Sequence, residues 1–458
     1  MLAGIAVLWL LNVILPKTEV GFCLLSLMFV TLVGVVIGMP FQKLIVFYLS
    51  RAAQPADASM QDIAGPPAGK LLTVPLVLAI IAALGIALAS DAVSDAIAKP
   101  GMAIWLSAMA ISLPFTVLRD FLTAVLSARQ DIGMASMFGH AFPAVGRALG
   151  LGMLALAGVS NPWGIALVFG LAQLFTCVPM IRRSRIFPMP FSGTFGSWDW
   201  GYCASIAFTQ LCIQPSRTID AFFVGTMLPS TAVADYMLAN RFASLALLPK
   251  QALGSLQTPR IGNHLSKGDT TLLQHEYDQT RWLALLIALA GAVIMLLFAG
   301  WFLSLFGNYA GAVSILTILY AAMLVRIGTG NSGEYLNMAG YGGRVLTITL
   351  VSLAVTVVAM LVLVPVLGAR GAAGSVLLGA IVGNGLLAAA IRWTDQLGTL
   401  DSFTLLTICM SVLTLILVSA NIIDSRFGAL LIGLITGAGV MKKRATFTLL
   451  SKPREIAI

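Results

Sequence analysis

Gln210-Leu-Cys-Ile-Gln214-Pro-Ser-Arg217-Thr-Ile-Asp220-Ala-Phe-Phe-Val-Gly225 lies inside an apolar segment running from about Tyr202 to Leu228, long enough to span a bilayer as a helix. Gln210, Gln214 and Arg217 fall at i, i+4 and i+7, which places them on one face of that helix. Arg217 sits near mid-span, where a charge costs about 2.5–3.5 kcal/mol on insertion scales, so it is expected to face protein or water rather than lipid. Asp220, one turn on, is positioned to pair with it. The helix reads as one wall of a polar cavity between two helical bundles. It also opens the second copy of an internal repeat.

The rest of the chain agrees with a bilayer setting. It has 458 residues, 59% of them apolar and 10% charged, where a soluble domain carries about 25% charged residues. Mean hydropathy is +0.96. The apolar runs have the length of helices rather than of the alternating strands of a barrel, so the expected fold class is all-α, a polytopic membrane protein. Fourteen spans are predicted, at roughly 1–15, 20–49, 70–90, 102–127, 135–158, 161–181, 200–228, 231–256, 281–305, 310–338, 345–366, 371–393, 403–422 and 426–441. The first apolar run leads into the next span without a small-residue cleavage site, so it is expected to be a span rather than a cleaved leader. The five cysteines show neither metal-ligand spacing nor a disulfide framework and read as packing residues.

Lys and Arg set the orientation. With a cytoplasmic N-terminus the inner loops and tail carry sixteen of the 27 basic residues and the outer loops four, Lys17, Lys99, Arg370 and Arg426. Both termini are therefore predicted inside, and the net charge of +9 needs no nucleic-acid partner.

Leu15-Pro-Lys-Thr18-Glu-Val20 recurs as Leu228-Pro-Ser-Thr231-Ala-Val233 at an offset of 213, and Pro40-Phe-Gln42 as Pro249-Lys-Gln251 at an offset of 209. Arg51 and Arg260 keep the second offset, Ala128 and Ala339 end spans 4 and 10, and Gly164-Ile-Ala166 matches Gly371-Ala-Ala373. Spans 1–6 and 7–12 thus read as two six-helix halves in the same orientation, related by a pseudo-two-fold along the membrane normal, with a further helix pair behind them. The expected organisation is 1–181, a cytoplasmic linker 182–199, 200–393, the pair 394–441 and a basic tail 442–458. Span 7 begins near residue 200, which maps about a dozen residues before Met1. The first helix is accordingly expected to start upstream of this sequence.

The two six-helix halves plus a C-terminal pair resemble the polysaccharide-transport family of the multidrug/oligosaccharidyl-lipid/polysaccharide exporter superfamily. The stretches that carry the resemblance are Leu15-Pro-Lys-Thr-Glu-Val-Gly21-Phe22, Pro259-Arg260-Ile-Gly-Asn-His-Leu-Ser-Lys267-Gly268-Asp269, Phe306-Gly-Asn-Tyr309-Ala-Gly-Ala-Val and Val364-Pro365-Val-Leu-Gly368-Ala-Arg-Gly371-Ala-Ala373. They are structural signatures spread over nearly the whole chain and include no catalytic motif. The resemblance implies a helical bundle that alternates access, and a flippase for undecaprenyl-pyrophosphate-linked oligosaccharide. The implied partners are that lipid-linked oligosaccharide, membrane lipids, and a polysaccharide polymerase with its chain-length machinery.

Seven basic residues lie within spans: Lys43, Arg119, Arg147, Arg217, Arg241, Lys250 and Arg326. Arg147, Arg217, Arg241 and Arg326 sit near mid-membrane and are the candidate substrate-binding residues. Arginine stays charged and forks onto phosphate oxygens, which suits a pyrophosphate headgroup. The acids within spans are fewer: Asp120, Asp220 and Glu334, with Asp235 nearer the outer end. Asp220 and Glu334 are the candidate coupling or gating residues and can bind H+ or Na+. Each has a structural reading too: Arg119–Asp120 and Arg217–Asp220 as helix-pinning pairs, Arg326 and Glu334 as neighbours two turns apart on one face. His140 is a packing neighbour of Arg147. Lys43 and Lys250 are expected to snorkel to the inner surface, and Pro40, Pro114, Pro143, Pro215 and Pro249 to kink their helices. No cofactor is implied, and no Walker-type loop for ATP is present.

Two alternatives share this fold: a lipid II-type peptidoglycan precursor flippase and a multidrug or organic-cation antiporter. A membrane glycosyltransferase, polymerase or ligase fits poorly, since the outer loops run to about a dozen residues at most and only Asp91 and Asp95 cluster there. Reporter fusions test the orientation. Fusions after Ala98 and Asn421 should read as exported and those after Arg185 and Arg444 as cytoplasmic; the inverse pattern would overturn it.

Overall fold

The computed structural model describes residues 2–52, 68–129, 131–184, 215–254, 257, 261, 270–307, 309, 311–395 and 401–448. Among them every regular element is helical. The order is α1 (Leu2–Ile14), α2 (Lys17–Ala52), α3 (Ala68–Leu88), α4 (Ser90–Ala96), α5 (Ala103–Ala110), α6 (Ser112–Ala128), α7 (Ile132–Ser136), α8 (Phe142–Leu156), α9 (Pro162–Ser184), α10 (Pro215–Met227), α11 (Ser230–Ser244), α12 (Thr270–Ser304), α13 (Ala312–Gly328), α14 (Ser332–Met338), α15 (Gly342–Leu367), α16 (Ala369–Asp395), α17 (Ser402–Ser419) and α18 (Ser425–Thr448). Seven of these, α2, α3, α9, α12, α15, α16 and α17, are long and apolar enough to cross a bilayer, and the pair α5–α6, bent by 45°, makes an eighth. α1, α13 and the start of α18 are shorter apolar helices. The chain is an all-α polytopic membrane protein.

Its apolar residues are distributed as lipid requires. Only 11% of the apolar stretch of α15 is buried, and Val358, Leu361, Val362 and Val366 stand exposed along it. In water such a face would be a liability; in hydrocarbon it is the solvent-facing side.

The chain forms two compact units, Met1–Ala234 and Asp235–Ile458. In the first, α6 packs on α2, α3 and α9, α8 lies against α1 and α9, and α10 contacts α2. Phe41, Ile45, Leu71, Phe121, Val125, Cys177 and Met180 close the core where α2, α3, α6 and α9 meet. In the second, α16 packs on α13 and α15, α17 on α13, and α18 on α12 and α17. The C-terminal pair is thereby part of the second unit's packing.

The repeat is visible in local geometry. After Pro16 the N–H groups of Glu19 and Val20 return to the Pro16 carbonyl at 2.9 and 3.1 Å; after Pro229 those of Ala232 and Val233 return to the Pro229 carbonyl at 3.0 and 3.1 Å. Proline has no N–H to donate and opens a helix at little cost. The turns from α8 to α9 and from α15 to α16 each pass through a left-handed glycine, Gly158 (φ +66°) and Gly368 (φ +59°). Span 4 and its counterpart span 10 differ. Span 4 bends at Ile111, three residues before Pro114, with the helical dihedrals φ −57°, ψ −31° retained. Span 10 is interrupted outright between Gly328 and Ser332.

Hydrocarbon gives helices no hydrophobic reason to associate, so close approach relies on small residues. Gly371, Ser375, Gly379 and Gly383 repeat every four residues along α16. A Cβ on Gly383 would come 2.6 Å from the Ser352 hydroxyl, and one on Gly379 would strike Thr356. The Ser352 hydroxyl donates across the interface to the Gly379 carbonyl at 2.9 Å. Gly379→Leu should therefore cost about 1–3 kcal/mol or prevent assembly. Leu378→Val, on the neighbouring exposed position, should leave the thermal midpoint of the purified protein unchanged.

Lys99 departs from its expected place among exposed outer-loop charges. It is 8% exposed, because its Nζ donates to the Gly225 carbonyl near the C-terminal end of α10, where a helix favours a cation. Burial lowers its ammonium from 10.5 to about 8. An unfolded chain keeps this proton up to about 10.5. Folding thus releases a proton between the two values, and stability should rise with pH across that window by up to about 3 kcal/mol. The thermal midpoint is expected to climb from pH 7.5 to 9.5 in the native sequence and to stay flatter in Lys99→Met.

Candidate functional site

In the first unit Arg147 belongs to α8, which follows a single π turn over Met137–Ala141 and carries Pro143 in its first turn. Exposed His140 lies in that π turn. A Cβ on Gly146 would sit 3.2 Å from Ala172, and Gly150 is crowded by Val168. These small residues let α8 lie close to α9. Half-buried Arg147 then holds its guanidinium 5.1 Å from the centre of the Phe169 ring, a cation–π geometry. Arg119 bonds the adjacent Asp120 carboxylate through Nε at 2.9 Å and Nη2 at 2.5 Å. Asp220 is 7% exposed in α10. Arg217 belongs to the first turn of the same helix, but its side chain, with Gln210 and Gln214, lies outside the described residues, as do the side chain of Lys43 and the pairing expected for Arg217.

In the second unit Arg241 lies in the last turn of α11 and is exposed. Arg326 stands half-buried in the last turn of α13, and Glu334 is exposed in the first turn of α14. The sequence placed these two on one continuous helical face. The structure corrects this: the helix stops at Thr329, and Gly330 turns left-handed with φ +68°. A glycine is the residue that takes this conformation without strain.

An interrupted span must satisfy the carbonyls that lose their helical partners. Here four carbonyls at the break find donors. Val325 O accepts Thr329 N–H at 3.4 Å and Ile327 O accepts Gly330 N–H at 2.9 Å. Arg326 O accepts Lys250 Nζ at 2.5 Å. Thr329 O accepts the Tyr277 hydroxyl at 2.7 Å. Asn331 Nδ2 donates to Gln257 Oε1 at 2.9 Å, and the Thr329 hydroxyl donates to Asn384 Oδ1 at 3.2 Å. Lys250 thus turns inward to a carbonyl rather than snorkelling to the surface; that carbonyl has lost its i+4 N–H partner, since Gly330 N–H turns to Ile327 O, and otherwise takes only the Thr329 hydroxyl at 3.4 Å among the described residues. Arg326 and Glu334 both lie near enough for their charges to act on its ammonium.

A small cleft adjoins the break, lined by Lys250, Gln257, Thr280, Arg281, Gly330 and Asn331 among others. Arg281, counted from the sequence as an inner-loop charge, is 2% exposed. It belongs to α12, which begins eleven residues earlier than the expected span. Its Nη2 lies 2.7 Å from Asp278 and 3.6 Å from Asp401, the residue preceding α17. The structure therefore gathers Lys250, Arg326 and Glu334 in one place within this unit. Sequence reasoning missed Tyr277, Gln257, Asn331 and Arg281. The available signal was Gly328-Thr-Gly330-Asn-Ser-Gly333, a cluster of turn-forming residues inside an apolar span.

Comparison with known proteins identifies this architecture. The sequence profile of the family described as "Polysaccharide biosynthesis protein" matches residues 10–257, more than half of the chain. The MatE profile matches residues 205–367. A comparison with curated proteins returns no match. Among solved structures, the lipid II flippase MurJ in an inward closed conformation aligns with a TM-score of 0.72 at 12% identity, covering 97% of this chain and 98% of that one. An inward-facing multidrug resistance MATE family transporter of the MOP superfamily aligns at 0.67 and 16% identity, covering 86% and 96%. A MOP superfamily transporter from Pyrococcus furiosus Vc1, described as having a binding pocket of reverse polarity, aligns at 0.61 and 15%, covering 86% and 91%. At such identities the structures share a fold. On its sequence, the chain belongs to the polysaccharide biosynthesis protein family, a polysaccharide flippase branch of the multidrug/oligosaccharidyl-lipid/polysaccharide exporter superfamily of membrane transporters.

Proposed function

We propose that this protein flips an undecaprenyl-pyrophosphate-linked oligosaccharide, a repeat unit of O-antigen, exopolysaccharide or capsule, across the bacterial inner membrane by alternating access, with both termini cytoplasmic. The observation that carries this reading is the excess of cations within apolar spans. Within the spans expected from the sequence, seven Lys and Arg residues stand against Asp120, Asp220, Asp235 and Glu334. A charge is retained at that depth only where it works, and a positive excess suits a pyrophosphate better than an organic cation. The family match over residues 10–257 supports the same reading. Arg147, Arg217, Arg241 and Arg326 hold the phosphates as forked donors, and Asp220 and Glu334 serve coupling or gating. The polymerase and chain-length machinery receive the flipped unit.

A lipid II-type substrate is the second reading. The likeness to MurJ over 97% of the chain favours it, and the same pyrophosphate chemistry would serve. An organic-cation antiporter is the third, through the MatE match. The deciding experiment measures leaflet-resolved lipid-linked oligosaccharide in cells lacking the protein. Cytoplasmic-leaflet build-up should be cleared by the native sequence. Arg147→Ala, Arg241→Ala and Arg326→Ala should each clear it about tenfold more slowly, the effect of losing one charge-assisted contact worth about 1.5 kcal/mol. Build-up of lipid II instead would reassign the substrate. Loss of cationic-dye efflux without build-up would move the protein to the antiporters, and full clearance by all three variants would discard these arginines.

A further inference from the structure

The break between α13 and α14 carries an unusual donor. The C-terminal end of a helix bears roughly half a negative charge. In transporters with discontinuous spans, such half-helix ends are where Na+ or H+ is coordinated. In this chain the end of α13 is already met by a cation, the Lys250 ammonium on the Arg326 carbonyl at 2.5 Å. The lysine follows Pro249 in a stretch that is helical from 248 to 254, so it approaches from a separate element. The other donors described at the break, the Tyr277, Thr329 and Ser332 hydroxyls, Asn331 and two backbone N–H groups, are neutral.

The charged groups facing this ammonium come from each element packed around it. Arg326 lies on α13 and Glu334 on α14. Arg281 of α12 lines the same cleft, with Asp278 and Asp401 held against it. Arg326, Arg281 and Lys250 thus balance Glu334, Asp278 and Asp401. Among these described groups the charges balance with the lysine charged, and a second cation would leave them positive.

We propose that Lys250 is a tethered counter-cation, occupying at the interrupted span the place a small transported cation takes in other carriers. The consequence is that the conformational cycle of this protein runs without external Na+. This assigns the coupling class within the flippase reading above and rests on it only where flux is measured.

The test uses the purified full-length protein in detergent at constant ionic strength. The native sequence should show the same thermal midpoint in NaCl and in choline chloride. Lys250→Ala should lower the midpoint, and ethylammonium chloride should restore it saturably while choline does not, because a free primary ammonium refills the vacated space. Lys250→Met should be lowered equally and stay unresponsive, since its side chain fills that space. Should Lys250→Ala not fold, Lys250→Gln keeps a donor without the charge and should be less stable than the native protein. A native midpoint raised by Na+, an unaltered Lys250→Ala or Lys250→Gln, or a folded Lys250→Ala that ethylammonium does not rescue would each overturn the proposal. In proteoliposomes, flipping at equal rates in Na+ and choline supports it, and Na+-dependent flipping overturns it. No oligosaccharide flipping at all, with amine rescue intact, would remove the flippase reading and leave the tethered cation standing.

Discussion

In hydrocarbon no water is present to satisfy a stray N–H or C=O, and each one left bare costs several kcal/mol. That constraint governs the second unit, which breaks a helix inside its packed interior. The end of α13 is tolerable because its carbonyls are met by Thr329 N–H, Gly330 N–H, Tyr277 and Lys250. These donors come from three separate elements, so the break fixes how α12 and the 248–254 stretch lie against α13. Tyr335 and Leu336 then seat α14 on Ala390 and Ile391 of α16. The matching span of the first repeat bends by 45° at Ile111, where Ile111 N–H falls back on Ala108 O and the Ser112 hydroxyl donates to Met109 O, both from within the span. There the equivalent interior holds Arg119 and Asp120, bonded to each other.

The packing follows from the same solvent. Helices that expose Leu and Val to lipid gain nothing by burying them, so the tight contacts fall on glycine and serine, as between α15 and α16. Polar and aromatic links secure what small residues cannot. Arg281 reaches Asp401, and Trp282 stacks on Phe403 with ring centres 5.8 Å apart, which ties the C-terminal helix pair to α12.

Much of this was legible from the residues. Apolar length gave the helices, and the paired prolines at Leu15-Pro16 and Leu228-Pro229 gave the repeat, because both features act locally. The candidate cations were found as residue types, since an arginine in an apolar run is conspicuous. Their surroundings were not legible. Whether Lys250 snorkels or turns inward depends on a carbonyl 76 residues away that is exposed only because Gly330 ends a helix. Arg281 and Lys99 read as loop charges because hydropathy marks where apolar residues begin, while α12 starts earlier and the turn before α5 folds inward. The order of residues records what each can do; the partner is set by tertiary contact.

The Arg281–Asp401 pair also bears on how the protein is made. The acid is synthesised 120 residues after the arginine, so α12 enters the membrane with Arg281 accompanied by Asp278 alone. Its full set of counter-charges is completed only when α17 arrives. The last helix pair therefore adds the second carboxylate to a pair that α12 carries by itself. A chain ending before residue 401 would leave Arg281 with Asp278 as its one described counter-charge.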